Sequence, residues 1–211
     1  MTIDEYLNRL PLIAILRGVT PDEVVAIGQA VAEEGFSIIE VPLNSPKPMD
    51  SIRRLQDALG QSCLIGAGTV LSPDQVTEVA AAGGRLIVMP HSDAAVVRAA
   101  KAAGLFCCPG VATPTEGFAA LANGADGLKL FPAEQIGLAG VKAWRAVFPK
   151  SVRLMPVGGV TPDNLADYVA AGAGGFGLGS ALYKPGMTAA EAGARARAFV
   201  QAWRRIAADK H

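Results

Sequence analysis

Residues 64–75, Leu-Ile-Gly-Ala-Gly-Thr-Val-Leu-Ser-Pro-Asp-Gln, join a short apolar run to the start of a helix. The run from Leu64 to Ala67 is typical of a strand buried on both faces. Ser72 can then cap a helix, Pro73 loses no needed donor at the first helical position, and Gln75 can reach back to close a capping box. The stretch therefore predicts one strand–helix unit of a parallel sheet.

The helix-start signature in this stretch recurs along the chain. Its four copies are Thr20-Pro21-Asp22-Glu23, Ser72-Pro73-Asp74-Gln75, Thr113-Pro114-Thr115-Glu116 and Thr161-Pro162-Asp163-Asn164. Only Asn164, in the last copy, departs from the capping box. Each following segment is alanine-rich and ends in a glycine that can turn the chain through a left-handed conformation, at Gly35, Gly83, Gly124 and Gly172. The pattern predicts four helices that are bounded at both ends.

Apolar runs between the helical segments supply the strands. We identify eight: Leu12 to Leu16, Ile38 to Pro42, Leu64 to Ala67, Leu86 to Met89, Leu105 to Cys108, Gly127 to Phe131, Val152 to Val157 and Gly175 to Leu178. They recur roughly every 24 residues with a helical stretch after each, which is the order of βαβ units. Eight repeats predict an α/β fold, a (β/α)8 TIM barrel formed by residues 1–211 as one domain, with a short leading helix over residues 1–9 and a closing helix from Ala189 to Ala208. A doubly wound open sheet remains the alternative.

The composition indicates a small-molecule partner. Of the 211 residues 51% are hydrophobic, and 19 Lys or Arg balance 19 Asp or Glu, so no basic surplus suggests nucleic acid. Cys63, Cys107 and Cys108 lie in apolar runs rather than in CxxC spacing, which disfavours a disulfide framework or a zinc site. We find no signal peptide and no apolar run long enough to span a membrane. The expectation is a soluble, cytoplasmic protein with no membrane partner.

Two charged residues interrupt the apolar strands. Lys129 stands between Leu128 and Leu130, and Glu40 stands in the second strand; alternation places both side chains inside the barrel if the leucines pack on helices. Burial lowers the pKa of a lysine and gives the neutral amine that attacks a ketone to form an imine. A carboxylate beside that amine can transfer protons. The alternatives are a lysine that reaches water or pairs with a carboxylate, and a buried ion pair that holds the barrel together.

Glycine-rich loops follow the seventh and eighth strands, where barrel enzymes often bind a phosphate. Gly158 and Gly159 come after Val157, and Gly179 precedes Ser180. Glycine lets backbone N–H groups approach an anion, and the serine hydroxyl can add a donor. The loops therefore favour a phosphate site, with two tight turns as the alternative.

Other polar residues follow the first, third and fourth strands. Arg17 can clamp a carboxylate or phosphate, or form a salt bridge at the rim. Thr69 can donate to a carboxylate or cap the next turn. His91 is expected at the rim, and besides it the chain has only His211. Because no paired metal-ligand spacing occurs, we predict no metal and no other cofactor, although a carboxylate-held magnesium is left open.

These residues resemble the 2-keto-3-deoxy-6-phosphogluconate and 2-keto-3-deoxy-6-phosphogalactonate aldolases over nearly the whole chain. The similar stretches are residues 13–18 (IAILRG), 40–46 (EVPLNSP), 65–70 (IGAGTV), 129–132 (KLFP), 157–160 (VGGV) and 177–180 (GLGS). The resemblance implies a metal-independent class I aldolase, usually a homotrimer, that cleaves a phosphorylated keto-deoxy sugar acid to pyruvate and glyceraldehyde 3-phosphate. It also implies that Lys129 forms the Schiff base and that Glu40 is the general acid and base.

Two positions bear on which sugar acid is used. The gluconate-type members usually carry arginine in place of Asn44 and threonine in place of Val157, so both positions resemble the galactonate type. A threonine hydroxyl can hydrogen-bond a substrate hydroxyl of one configuration, whereas valine cannot. We expect Asn44 and Val157 among the substrate-binding residues, with Arg17 and Thr69 as candidates to hold the pyruvate carboxylate. Gluconate or dual specificity remains an alternative.

Two further functions share the same residues. A phosphate-binding isomerase or epimerase would use Glu40 as a base without an imine. A non-catalytic sugar-phosphate binding protein would tolerate the loss of Lys129 with ligand binding intact. Trapping an adduct on Lys129 separates both from the aldolase.

Overall fold

The computed structural model describes residues 2–208. Its strands are β1 (Leu12–Ile15), β2 (Ile38–Pro42), β3 (Leu64–Gly68), β4 (Leu86–Val88), β5 (Phe106–Cys108), β6 (Gly110–Val111), β7 (Leu128–Leu130), β8 (Leu154–Pro156) and β9 (Phe176–Leu178). Its helices are α1 (Ile3–Arg9), α2 (Val24–Glu33), α3 (Pro48–Leu59), α4 (Pro73–Ala81), α5 (Ala94–Ala102), α6 (Pro114–Ala122), α7 (Ala133–Val147), α8 (Leu165–Ala170) and α9 (Ala189–Ala208). Strands and helices alternate as the apolar runs predict, except that β6 follows β5 with no helix between them, and α1 and α9 are the leading and closing helices.

The strands pair in parallel and form two sheets. One has six strands in the order β5-β4-β3-β2-β1-β9, and the other has three in the order β6-β7-β8. The chain is therefore an α/β protein whose larger sheet is compatible with a TIM-like fold. The single eight-stranded barrel predicted from the sequence differs from this pairing.

The pairing changes at Pro109, which separates β5 from β6. A proline has no N–H to donate to a ladder, so β5 pairs with β4 while β6, one residue later, pairs with β7. At the other junction a single bridge joins Val157, just after β8, to Gly177 in β9. The predicted fifth strand, Leu105 to Cys108, corresponds to β5, and β6 is an additional short strand that the apolar runs did not predict. The two sheets meet at both edges.

The four helix-start signatures behave in two ways. The copies at Ser72 and Thr113 cap α4 and α6, which begin at the following proline as expected. In the other two copies the hydroxyl makes no cap, and α2 and α8 begin later, at Val24 and Leu165. There the side chains of Glu23 and Asn164 accept from the backbone N–H of the threonine three residues earlier, which satisfies the turn without starting the helix. The four terminating glycines all have positive φ, as predicted.

The core has an outer and an inner part. The outer core lies between strands and helices, and the inner core lies on the other face of the strands. Ile3, Tyr6 and Leu7 of α1 are buried in the inner core against residues such as Leu64 at the beginning of β3. Arg153, just before β8, donates to Asp4 Oδ1 over 2.7 Å. Helix α1 therefore covers the amino ends of the strands.

Within the described chain no helix is both long and apolar enough to cross a membrane.

Candidate active site

Lys129 occupies the middle of β7 and is buried, with 6% of its surface exposed. Leu128 and Leu130 pack in the outer core beneath the helices. Because side chains alternate along a strand, Lys129 points to the inner face. Its Nζ lies 4.6 Å from the centre of the Phe131 ring.

Glu40 occupies the middle of β2 and is only 2% exposed. Ile39 and Val41 pack in the outer core, whereas Ile38, on the same face as Glu40, joins the inner core. Gly68 of the neighbouring β3 leaves room for the carboxylate, since a Cβ there would overlap it. Among residues 2–208, no group hydrogen-bonds the Glu40 Oε2. A buried oxygen without a hydrogen-bond partner costs folding free energy, and such an oxygen is typical of a site that binds a ligand or a proton.

The two buried groups shift each other's protonation. Burial lowers the pKa of Lys129; the Glu40 charge raises this pKa and the Arg17 charge lowers it further. Burial raises the pKa of Glu40 to about 7, against the attraction of Lys129 and Arg17, which lowers it. Near neutral pH the carboxyl group therefore populates both forms and can accept or donate a proton. Burial shifts Lys129 in the direction of the neutral amine.

Arg17 lies in the loop after β1 and is bound to the loop after β2. Its Nη1 donates to Asn44 Oδ1 over 2.7 Å. The next residue, Gly18, donates its N–H to the Oγ of Ser45 over 2.9 Å. These two bonds connect adjacent loops at the carboxyl ends of β1 and β2.

A cavity of about 420 Å³ opens at the carboxyl ends of the strands. It brings together seven of the residues singled out in the sequence: Arg17, Lys129, Val157, Gly158, Gly159, Gly179 and Ser180. Gly158 and Gly159 have φ of 107° and 64°, and in this left-handed backbone a side chain would be strained. The strand-end lysine and the glycine loops therefore share one concave site.

Lys184 and Arg195 also line this cavity, and the sequence reasoning missed both. Lys184 is exposed in the segment before α9. Arg195 lies on α9, and its Nη1 donates to the carbonyl oxygen of Ser180 over 3.2 Å. With Arg17 they give the cavity three cationic groups besides Lys129, and no carboxylate is among its lining residues in the described chain. The site therefore suits an anion.

Three of the expected site residues are placed outside the lining of this cavity. Glu40 is buried, Asn44 contacts Arg17, and Thr69 follows β3. Thr69 has φ of 57°, a left-handed conformation that is strained for a β-branched residue and that clusters at functional sites. His91 is exposed, as expected of a rim residue. Within residues 2–208 no group of three or more His, Cys, Asp or Glu side chains comes together as a metal site.

The fold and the site define an α/β protein with a cationic cavity at the carboxyl ends of parallel strands and a buried lysine–glutamate pair at that cavity. Residues 3–198 match the family model described as KDPG and KHG aldolase. The chain therefore belongs to the KDPG and KHG aldolase family, as the sequence motifs predict.

Two relatives and one solved structure are similar over most of their length. The 2-dehydro-3-deoxy-6-phosphogalactonate aldolase of Escherichia coli K12 is 48% identical, with 95% of this chain and 98% of the relative covered. A protein of Rhizobium meliloti 1021, named as a probable aldolase of the same kind, is 51% identical with 92% and 91% covered. The solved structure described as native KDPGal superimposes with a TM-score of 0.93 at 48% identity, covering 95% of this chain and 97% of the other.

Proposed function

We propose that this protein is a class I aldolase that cleaves 2-dehydro-3-deoxy-6-phosphogalactonate to pyruvate and D-glyceraldehyde 3-phosphate. The observation that carries the proposal is the buried Lys129, whose pKa burial lowers, near a Glu40 whose pKa burial raises to about 7. A neutral amine and a carboxyl group poised near neutrality are what Schiff-base chemistry needs. The names of the two relatives at 48% and 51% identity support the same reaction.

The reaction begins when the Lys129 Nζ attacks the C2 ketone of the substrate. The former carbonyl oxygen takes one proton from the Lys129 nitrogen and a second from protonated Glu40 and leaves as water, so that a protonated imine and the Glu40 carboxylate remain. The C3–C4 bond then breaks, and its electron pair moves into the imine to form an enamine. The Glu40 carboxylate takes the proton of the C4 hydroxyl, so that glyceraldehyde 3-phosphate is released as an aldehyde. Protonation of the enamine at C3 and hydrolysis by water then free pyruvate and the amine.

The glycine end of the cavity is proposed to hold the substrate phosphate. Gly158, Gly159 and Gly179 leave their backbone accessible, and Ser180 adds a hydroxyl. Arg195 donates to the carbonyl oxygen of Ser180 and so neutralises an acceptor that would otherwise repel an anion at this loop. Binding energy at the phosphate is remote from the C3–C4 bond and can be used to orient the substrate.

Val157 supports the galactonate substrate over the gluconate one. It is 9% exposed and lines the cavity where the sheets meet. A valine offers no hydrogen bond to a sugar hydroxyl, so this position cannot favour the hydroxyl configuration of the substrate that a threonine would bind. 2-Keto-3-deoxy-6-phosphogluconate as the main substrate, or use of both, is the second candidate.

Two structural expectations are part of the proposal. The first is that the two sheets act as one closed (β/α)8 barrel, which the one-residue break at Pro109 and the bridge from Val157 to Gly177 support. The second is a homotrimer, supported by large apolar side chains left on the surface, of which Phe118 is 48% exposed. The buried free thiols of the three cysteines fit the reducing cytoplasm.

Borohydride reduction in the presence of pyruvate tests the proposal. We expect a reduced pyruvyl group on Lys129, located by peptide mapping, together with pyruvate release from 2-dehydro-3-deoxy-6-phosphogalactonate. Lys129→Met should abolish both, whereas Lys142→Met, which removes an exposed lysine of α7, should alter neither. Pyruvate release with no adduct on Lys129 would contradict the Schiff-base mechanism, and the absence of release would contradict the aldolase.

A further inference from the structure

Asn44 is placed to act on Arg17 rather than on the cavity. Its side chain is outside the lining, and its Oδ1 accepts the 2.7 Å bond from Arg17 Nη1. The adjacent Ser45 is buried, and its Oγ accepts from the Gly18 N–H over 2.9 Å. Two successive residues after β2 therefore hold two successive residues after β1, so the contact is part of a fixed junction between loops.

Arg17 needs such support because it is exposed and long. Arg17 is exposed and lines the cavity. Without a partner its side chain would sample many rotamers there. One of its five N–H donors is held by Asn44, and the planar fork leaves the remaining donors in a fixed orientation. A neutral amide is suited to this task because it fixes the guanidinium without cancelling its charge.

The carboxylate of the keto acid is the group that Arg17 can reach best. Arg17 lines the same cavity as Lys129, the lysine that bonds to C2, and its charge lowers the pKa of both Lys129 and Glu40. The carboxylate carbon is directly bonded to C2, whereas the phosphate is carried at the far end of the chain. The phosphate has its own cations in Lys184 and Arg195.

We propose that Asn44 is a positioning residue that holds Arg17 to receive the carboxylate of the 2-keto acid. The inference rests on the proposed aldolase and deepens it: the sequence already makes Arg17 a candidate to hold the carboxylate, and the new assignment is that Asn44 orients Arg17. Asn44 then affects the binding of pyruvate without touching it.

Pyruvate trapping by borohydride tests the proposal, because pyruvate carries the carboxylate and no phosphate. Asn44→Ala should raise the pyruvate concentration for half-maximal trapping about tenfold, as expected when a charge-assisted hydrogen bond is lost, with a smaller change in the limiting rate. Asn123→Ala is the matched control: it removes a similar surface bond, in which Arg98 Nη1 donates to Asn123 Oδ1 over 2.6 Å. This control should leave half-saturation unchanged.

A double-mutant cycle identifies the route of the effect. If Asn44 acts through Arg17, Asn44→Ala should have no further effect in an Arg17→Ala background. A full additional effect there, an Asn44→Ala variant that behaves like the Asn123 control, or an Arg17→Ala variant with normal half-saturation would each overturn the proposal. Absence of any adduct in the unmodified protein would instead refute the aldolase, so the two failures are distinguishable.

Discussion

Replacing Glu40 by glutamine should stabilise the protein increasingly as the pH rises. Burial raises the pKa of Glu40 to about 7 in the folded protein, whereas the ordinary value of 4.5 applies to the unfolded chain. The folded state therefore keeps a proton that the unfolded chain releases as the pH rises above 4.5. Stability associated with this proton is fully present below pH 4.5 and is lost as the pH approaches 7. Glutamine does not titrate and avoids the loss.

The magnitude follows from the two pKa values. A pKa of about 7 in place of 4.5, at about 1.4 kcal/mol for each pH unit, corresponds to about 3 kcal/mol. Because part of the ionisation of the unfolded chain has already occurred at pH 5, we expect Glu40→Gln to gain about 2 kcal/mol relative to wild type between pH 5 and pH 8. The pKa of Lys129 falls further when the attraction of Glu40 is lost. This fall also makes the variant gain stability relative to wild type as the pH rises. Any constant cost of burying the amide cancels in the comparison of the two pH values.

Urea unfolding at pH 5 and pH 8 measures the free energy of unfolding for both proteins. Glu34→Gln is an informative control, since the hydrogen bond from Arg197 lowers the pKa of Glu34. The stability that Glu34 contributes is present above its ordinary pKa of 4.5 and is lost as the pH falls below it, so the effect of this variant on stability should be nearly the same at pH 5 and pH 8. A Glu40→Gln variant whose difference from wild type is the same at both pH values would refute the raised pKa, and with it the poised acid and base.

Two further predictions concern the substrate. Val157→Thr should shift the ratio of kcat/KM for the galactonate and gluconate substrates by about tenfold towards gluconate, because the hydroxyl adds one hydrogen bond to a similar shape; an unchanged ratio in a coupled pyruvate assay would remove this position from specificity. Arg195→Gln should raise KM for the phosphorylated substrate by about tenfold and leave pyruvate trapping unaffected, since it removes a cation at the phosphate end. Arg197→Gln, on the same helix but paired with Glu34, is its control, and equal effects from both arginines would argue for a structural cause.

Much of the fold is predictable because the strands are buried on both faces. Such strands are continuous apolar runs, so the run from Ile38 to Pro42 matches β2 at both ends. The same rule makes Glu40 and Lys129 conspicuous as charges within apolar strands. The change of pairing at Pro109 could not be predicted in this way, because the run before it remains apolar and only its neighbours decide which sheet it joins.

The parts of the site that were missed depend on long-range contacts. Arg195 is one of several arginines on α9, and only its approach to the Ser180 carbonyl distinguishes it. The contact of Asn44 with Arg17, which lies 27 residues earlier in the chain, could not be predicted either, and substrate binding by Asn44 stays a prediction. Periodicity locates a side chain on a face of its own element and gives no information about which loop meets it at the rim.

Helix α1 has a consequence for the order of events during turnover. Ile3, Tyr6 and Leu7 are buried against the amino ends of the strands, so α1 covers the end of the sheets that lies opposite the cavity. In the proposed reaction the aldehyde fragment must therefore leave from the carboxyl ends of the strands while pyruvate is still attached to Lys129. The covalent bond to Lys129 then holds pyruvate until hydrolysis, so the two products depart one after the other on the same side of the sheets.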